Sequence, residues 1–64
     1  MNRRFDIGDL VHFKINNAYF GLCVVTGYGK SSFKEGQYIV VNCASGEVYV
    51  AFDYELYSVE EFGI

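Results

Sequence analysis

Proline and tryptophan are absent from this sequence, and histidine and methionine occur once each. Without proline, the turns depend on seven glycines, which tolerate positive φ. No apolar run approaches the roughly 18–20 residues of a membrane span. A single histidine, His12, and two cysteines, Cys23 and Cys43, do not form a zinc-ligand pattern. We therefore expect no metal, no cofactor and no membrane association.

The length of the chain is sufficient for one domain, and we predict a single unit over residues 1–64. A domain of about this size buries only about 60% of the surface that its unfolded chain exposes. Small domains often compensate with disulfide bonds or a metal. Here we expect the six Phe and six Tyr to supply the stabilisation, because each buried aromatic side chain removes roughly 150–250 Å² from water.

The first residues are charged, and no apolar segment of a signal peptide follows Arg3-Arg4. This predicts a cytoplasmic protein. In that reducing compartment Cys23 and Cys43 are expected to be free thiols.

Charge is unevenly distributed along the chain, whose net charge is −3. Residues 1–34 hold all five basic side chains and two acidic ones, whereas residues 35–64 hold six acidic side chains and no basic one. We favour a solvated acidic surface that keeps the protein soluble. The alternative is an acidic edge that attracts a basic partner.

Alternation of apolar and polar residues predicts five short strands. They are Leu10–Ile15, Tyr19–Thr26, Gln37–Asn42, Glu47–Phe52 and Leu56–Val59. Asn16-Asn17 and Ala44-Ser45-Gly46 are predicted as turns, with Gly46 at a positive-φ position. Residues 27–36 form a predicted long loop, and Asp53–Glu55 form a predicted 3₁₀ turn.

The same alternation predicts which side chains form the core. The predicted core consists of Val11, Phe13, Leu22, Val24, Val40, Val48, Val50 and Phe52. Ile15 is assigned to the face of Val11 and Phe13, while Tyr49 and Ala51 are assigned to the opposite face. A shift of one residue in the third strand would bury Ile39 and Val41 instead of Val40.

The opening Phe5-Asp-Ile-Gly8-Asp9-Leu-Val11 resembles the turn and strand that begin SH3-like barrels of the KOW and Tudor-like type. The second strand, Gly21 to Val25, the glycine turn at Gly46 and the 3₁₀ turn before the last strand are similar to the order of elements in those domains. The resemblance covers nearly the whole chain and implies an all-β, five-stranded SH3-like barrel. It implies a fold rather than a function. The brevity of the chain also resembles that of small bacteriophage or mobile-element accessory proteins.

Catalytic patterns are incomplete, so we do not expect an enzyme. Residues 24–31 end in Gly-Lys-Ser like a phosphate-binding loop, but Val24 stands where that loop needs glycine, and a strand follows instead of a helix. His12 is predicted on the surface without a neighbouring nucleophile. Glu60 and Glu61 lie close to the last residue, where precise geometry is hard to hold.

Binding is the favoured function, because aromatic side chains are predicted to point away from the core. The candidate partner-binding residues are Tyr19, Tyr28, Lys30, Phe33, Lys34, Tyr38 and Tyr49. The first hypothesis is a module that binds and modulates a larger protein, as a monomer or a weak homodimer. The second is a single-stranded nucleic-acid binder, in which loop 27–36 stacks bases on Tyr28 and Phe33 and lysines meet phosphates. The acidic composition, with a pI of about 4.8, favours the first. The structural alternative is that these aromatics cover the core of a small domain.

Overall fold

Five antiparallel strands form one sheet in the computed structural model, which describes residues 4–29 and 36–62. The strands are β1 (Leu10–Ile15), β2 (Ala18–Tyr28), β3 (Gln37–Asn42), β4 (Val48–Phe52) and β5 (Leu56–Ser58). A 3₁₀ turn at Asp53–Glu55 precedes β5, and a four-residue helix, α1 (Val59–Phe62), follows it. The order across the sheet is β4-β3-β2-β1-β5. The all-β prediction is confirmed, and the arrangement is compatible with an SH3-like fold.

The barrel, which the sequence predicts as closed or nearly closed, is not closed in the described structure. The strands β4 and β5 lie at opposite edges of the described sheet and are not paired with each other. Closure requires hydrogen bonding between the first and last strands of the order, and β5 has only three residues. The sheet therefore curves around its core and keeps two edges.

The bounds of β1, β3 and the 3₁₀ turn agree with the sequence prediction. Strand β2 is longer than predicted and runs through Gly27 and Tyr28, which had been assigned to the loop. The last predicted strand ends at Ser58, because Val59 begins the short helix α1, which was not predicted. The other predicted loop residues, 30–35, lie outside the described part of the chain.

One face of the sheet covers the hydrophobic core. The buried apolar side chains are Phe5, Val11, Phe13, Cys23, Val25, Tyr38, Val40, Ala51 and Leu56. The predicted burial of Val11, Phe13 and Val40 is thus confirmed. Tyr28 and Tyr49 are half-buried and pack against this cluster. We call the opposite side of the sheet the outer face.

The predicted orientation of β2 and β4 is wrong by one residue. Cys23 and Val25 are buried in place of Leu22 and Val24, which are half-buried on the outer face. In β4, Ala51 is buried and Tyr49 packs on the core, whereas Val48 and Val50 are exposed and Phe52 is half-buried. Both strands are apolar on both faces, so alternation alone did not decide which face is buried. Ile15 is also exposed, at the last position of β1.

Two polar side chains fix the orientation of β3. The Asn42 amide donates to the carbonyl oxygen of Phe20 at 2.7 Å and accepts from the backbone N–H groups of Ala44 and Ser45, each at 2.8 Å. Tyr38 is 2% exposed, and its hydroxyl donates to Asp53 Oδ2 at 3.2 Å. Because residues two apart share a face, Val40 is buried between them.

Replacing Val40 by alanine should lower the free energy of unfolding by about 2–3 kcal/mol, because two fully buried methyl groups are lost and a cavity remains. Val50→Thr, on the exposed side of β4, should change it by less than about 0.5 kcal/mol. Urea denaturation measures both. Equal losses for the two variants would contradict the assignment of faces.

Gly46→Val should destabilise the fold, because Gly46 adopts φ of +80° in the turn between β3 and β4. No heavy atom lies within 4 Å of a Cβ built there, so the cost comes from the backbone and not from crowding. Gly46→Asn is the matched control, since asparagine tolerates this conformation. Thermal melting should rank wild type above Gly46→Asn and Gly46→Asn above Gly46→Val.

Candidate interaction surface

Aliphatic side chains cross the outer face of the sheet in rows. One row runs from β1 to β4 through the direct cross-strand neighbours Leu10, Val24, Val41 and Val48. In the next row Ile39 of β3 lies opposite Val50. Directly opposite residues of antiparallel strands project to the same face and contact each other. Together with Leu22, which lies opposite His12, these residues form what we call the aliphatic patch.

The aliphatic patch is most exposed toward β4. Val48 and Val50 are 63% and 60% exposed, and Leu10 is 50% exposed. The remaining four members are half-buried between their neighbours. Scattered exposed apolar residues are normal on protein surfaces, whereas a continuous apolar patch marks a contact site.

An aromatic cluster continues the outer face on the β5 side of the sheet. The rings of His12 and Phe62 stack with centroids 4.2 Å apart, and Tyr19 stacks on Phe62 at 5.1 Å. The Tyr19 hydroxyl and His12 Nδ1 share a hydrogen bond of 2.7 Å. Tyr57, opposite His12 in the pairing of β1 with β5, meets Phe62 edge-on at 6.1 Å. The helix α1 thus supplies the ring around which the cluster is built.

Helix α1 is held in place by a capping box and an ion pair. The Ser58 hydroxyl accepts from the Glu61 N–H at 3.0 Å, and Glu61 Oε1 accepts from the Ser58 N–H at 2.9 Å. The same Glu61 oxygen lies 2.7 Å from Nη2 of Arg4, whose Nη1 lies 3.0 Å from Asp53 Oδ1. Arg4 therefore ties the start of the described chain to the 3₁₀ turn and to α1.

These contacts shift the ionisation of three groups. The hydrogen bond to Asp53 raises the pKa of Arg4 above its ordinary value. Burial, with the nearby Asp53 charge, raises the pKa of the Tyr38 hydroxyl. The Ser58 N–H and then the charge of Arg4 hold the pKa of Glu61 below its ordinary value.

Acidic side chains are neighbours in sequence of the aliphatic patch and the aromatic cluster. Asp9 and Glu47 directly precede Leu10 and Val48, the two ends of the long row, and Glu60 lies in α1. Within residues 4–29 and 36–62 there are seven acidic and two basic side chains, a net charge of −5. The whole chain carries a net charge of −3.

The structure separates the predicted binding residues into three groups. Tyr19 is exposed in the aromatic cluster of the outer face. Tyr28 and Tyr49 are half-buried, and Tyr49 lies on the core side with its ring 5.2 Å from that of Phe13. The outward orientation predicted for Tyr38 is wrong, because its ring is buried against Phe5 and its hydroxyl meets Asp53. Lys30, Phe33 and Lys34 lie outside the described residues.

The aliphatic patch itself was missed, because four of its members had been assigned to the core. They are Leu22, Val24, Val48 and Val50. The sequence of β3 does contain a signal for the orientation of this strand. Tyr38 and Asn42 each lie two residues from Val40 and therefore share its face. When Tyr38 and Asn42 point inward and form hydrogen bonds there, Ile39 and Val41 must point outward. The pairing of β3 with β2 and β4 then determines which side chains of those strands also point outward.

The candidate groups for chemistry belong to several different elements of the structure. Residues 24–28 of the segment that resembles a phosphate-binding loop belong to strand β2. Cys23 is buried in the core and Cys43 is exposed, and both thiols are free. Burial raises the pKa of Cys23, which keeps it protonated and a poor nucleophile. In the described residues, no three His, Cys, Asp or Glu side chains are grouped as metal ligands.

No protein-family model matches this chain, and neither the curated proteins nor the solved structures compared with it give a match. Among the described residues, no helix has the length and apolar character needed to cross a membrane.

Stability should fall in acid partly through Glu61. The lowered pKa of Glu61 means that the folded state favours its charged form. The stabilisation from Glu61 is therefore fully present above the ordinary pKa range of a carboxyl group. It is lost as the pH falls through that range and then through the lower pKa of the folded state. Urea unfolding between about pH 6 and pH 3 should therefore show a shallower acid slope for Glu61→Gln than for wild type. Glu60→Gln removes the same charge from α1 but keeps the bonds to Arg4 and Ser58. Identical slopes for Glu61→Gln and wild type would show that the Glu61 carboxylate, with its bonds to Ser58 and Arg4, does not contribute.

Proposed function

We propose that this chain is a small, non-enzymatic, cytoplasmic module that binds a larger protein through the outer face of its sheet and modulates that protein's action. This role is that of a small phage or mobile-element accessory protein. The observation that supports the proposal is the aliphatic patch, whose rows cross four strands and stay uncovered within the described part of the chain.

The make-up of the outer face agrees with the anatomy of protein interfaces. Their centres are apolar and enriched in aromatic rings, and their rims are polar. Here the valine rows lie on the same face of the sheet as the Tyr19 and Phe62 rings. Four strands spaced about 4.8 Å apart give the patch a width of about 15 Å, enough to receive a helix or the edge of a sheet.

Charge indicates the kind of partner. A chain with a net charge of −3 favours association with a surface whose rim is basic and repels an acidic one. The partner expected is therefore a protein with an apolar site bordered by lysine or arginine. Screening should slow its association at high salt, while the apolar contact is retained.

Single-stranded nucleic acid is the less favoured ligand. The Tyr28 ring, which was expected to stack on a base, packs edge-on against Tyr38 at 6.0 Å and is half-buried. The acidic body also opposes the phosphate contacts that provide most non-specific affinity.

The proposal is tested by capture from a lysate of the cells that express the protein, with the chain immobilised in three forms. These forms are wild type, the outer-face variant Val24→Thr/Val41→Thr, and Ile7→Thr. The last carries the same type of change at an exposed aliphatic residue outside the strands. Circular dichroism establishes that all three are folded.

We expect wild type and Ile7→Thr to retain the same protein in equal amounts. The outer-face variant should retain at least about tenfold less, because central apolar contacts carry most of an interface's energy. Equal capture by all three forms would contradict the proposal. Salt-sensitive binding of a single-stranded oligonucleotide that is lost in Lys30→Glu/Lys34→Glu would favour the nucleic-acid hypothesis instead.

A further inference from the structure

The two edges of the sheet differ in the state of their backbone amides. At the β5 edge, the Leu56 N–H donates to the Asp53 carbonyl and the Ser58 N–H donates to Glu61 Oε1. These amides already have acceptors within the chain, and β5 has only three residues. The β5 edge is therefore poorly suited to pairing with another strand.

Among the described residues, the β4 edge is open at Val48 and Val50. Asn42 N–H donates to the Glu47 carbonyl at 2.8 Å and Asp53 N–H donates to the Gly36 carbonyl at 3.1 Å, which marks both pairs as hydrogen-bonded pairs of the β3–β4 ladder. Such pairs alternate along an antiparallel ladder. The N–H and C=O groups of Val48, Val50 and Phe52 therefore point away from β3, toward the edge.

One of these three amides is already used. The Phe52 N–H donates to Glu55 Oε1 at 3.0 Å, so its amide is not available to another strand. Strand β4 contains no lysine, no proline and no register shift, the features with which natural sheets protect an edge. Val48 and Val50 also carry the most exposed side chains of the aliphatic patch.

We propose that two copies of this chain pair through β4, antiparallel and related by a two-fold axis at Tyr49. In this register Val48 of each copy lies opposite Val50 of the other, and each such pair exchanges both N–H···O bonds. A register centred on Val50 would place Val48 opposite Phe52, whose amide is held by Glu55. The state of the two edges indicates which strand pairs with β4. Since each copy offers one open edge among its described strands, β4 pairs with β4 and the assembly closes as a dimer.

Pairing also gives the exposed valines their missing neighbours. The row that ends at Val48 continues into Val50 and Ile39 of the second copy, so the aliphatic patches of the two copies join on one face. The contact involves one five-residue strand per copy, against 20–30 residues a side in a standard interface. We therefore infer a weak dimer, which added salt strengthens because each copy carries a net charge of −3.

The proposal does not depend on the function proposed above, and its test uses the purified chain alone. Sedimentation equilibrium from about 10 μM to about 1 mM measures the association of wild type, Val50→Thr and Val50→Pro. Proline at position 50 removes the edge-facing N–H and leaves the β3–β4 hydrogen bonds intact, since proline is tolerated on edge strands. Wild type and Val50→Thr should dimerise, and Val50→Pro should stay monomeric.

Amide hydrogen exchange of wild type at the two ends of that concentration range gives a readout that needs no variant. Exchange at Val48 and Val50 should slow at high concentration, while Tyr49 and Ala51, whose amides face β3, should not change. A monomer at about 1 mM overturns the proposal. A dimer with unchanged exchange at Val48 and Val50 also overturns it and indicates contact through another surface. Val24→Thr/Val41→Thr keeps the β4 edge, so it should still dimerise even though it fails in partner capture.

Discussion

The inward orientation of Asn42 and Tyr38 determines how the rest of the sheet is arranged. The Asn42 side-chain amide forms hydrogen bonds with the backbone carbonyl of Phe20 on β2 and with two backbone N–H groups of the turn after β3. It fits because Gly21 has no side chain. A Cβ at Gly21, where φ is +107°, would lie 2.9 Å from Asn42 Nδ2. With Asn42 inside, Tyr38 and Val40 must also point inward, and Ile39 and Val41 must point outward.

The orientation of β3 is transmitted to its neighbours by the register. Val41 lies opposite Val24 on one side and Val48 on the other, so an outward Val41 places two further aliphatic residues on the outer face. A chain of this length has one core, and that core covers one side of the sheet. The outer aliphatic rows are thus a direct result of polar groups that require burial with their partners.

Strand positions could be predicted from the sequence more securely than side-chain orientation. Turn residues bound β1 and β3 clearly, so both were located correctly. In β2 and β4 both alternate sets are apolar, and the difference between Val48 and Ala51 depends on pairing with β3, which no local pattern contains. Tyr38 was predicted on the surface although it lies two residues from Val40 and so on the same face, because its single polar atom finds Asp53 only in the folded chain. Helix α1 is too short to show a period, although Ser58-Val-Glu-Glu61 is a capping-box sequence.

The β5 side of the outer face is covered by other parts of the described chain, whereas the β4 side is not. This difference explains why binding is expected at β4. On the β5 side, the Arg4–Glu61 ion pair and the Ser58 capping box hold α1, and Phe62 covers His12. On the β4 side, the described chain supplies no such element, and both the valine side chains and the edge amides remain open. Apolar burial and backbone pairing are therefore available together at β4, whereas the net negative charge of the chain limits which surfaces approach it. In the contact between copies the β4 backbones pair at the edge and the aliphatic patches join on one face, so that face remains available to a basic-rimmed protein.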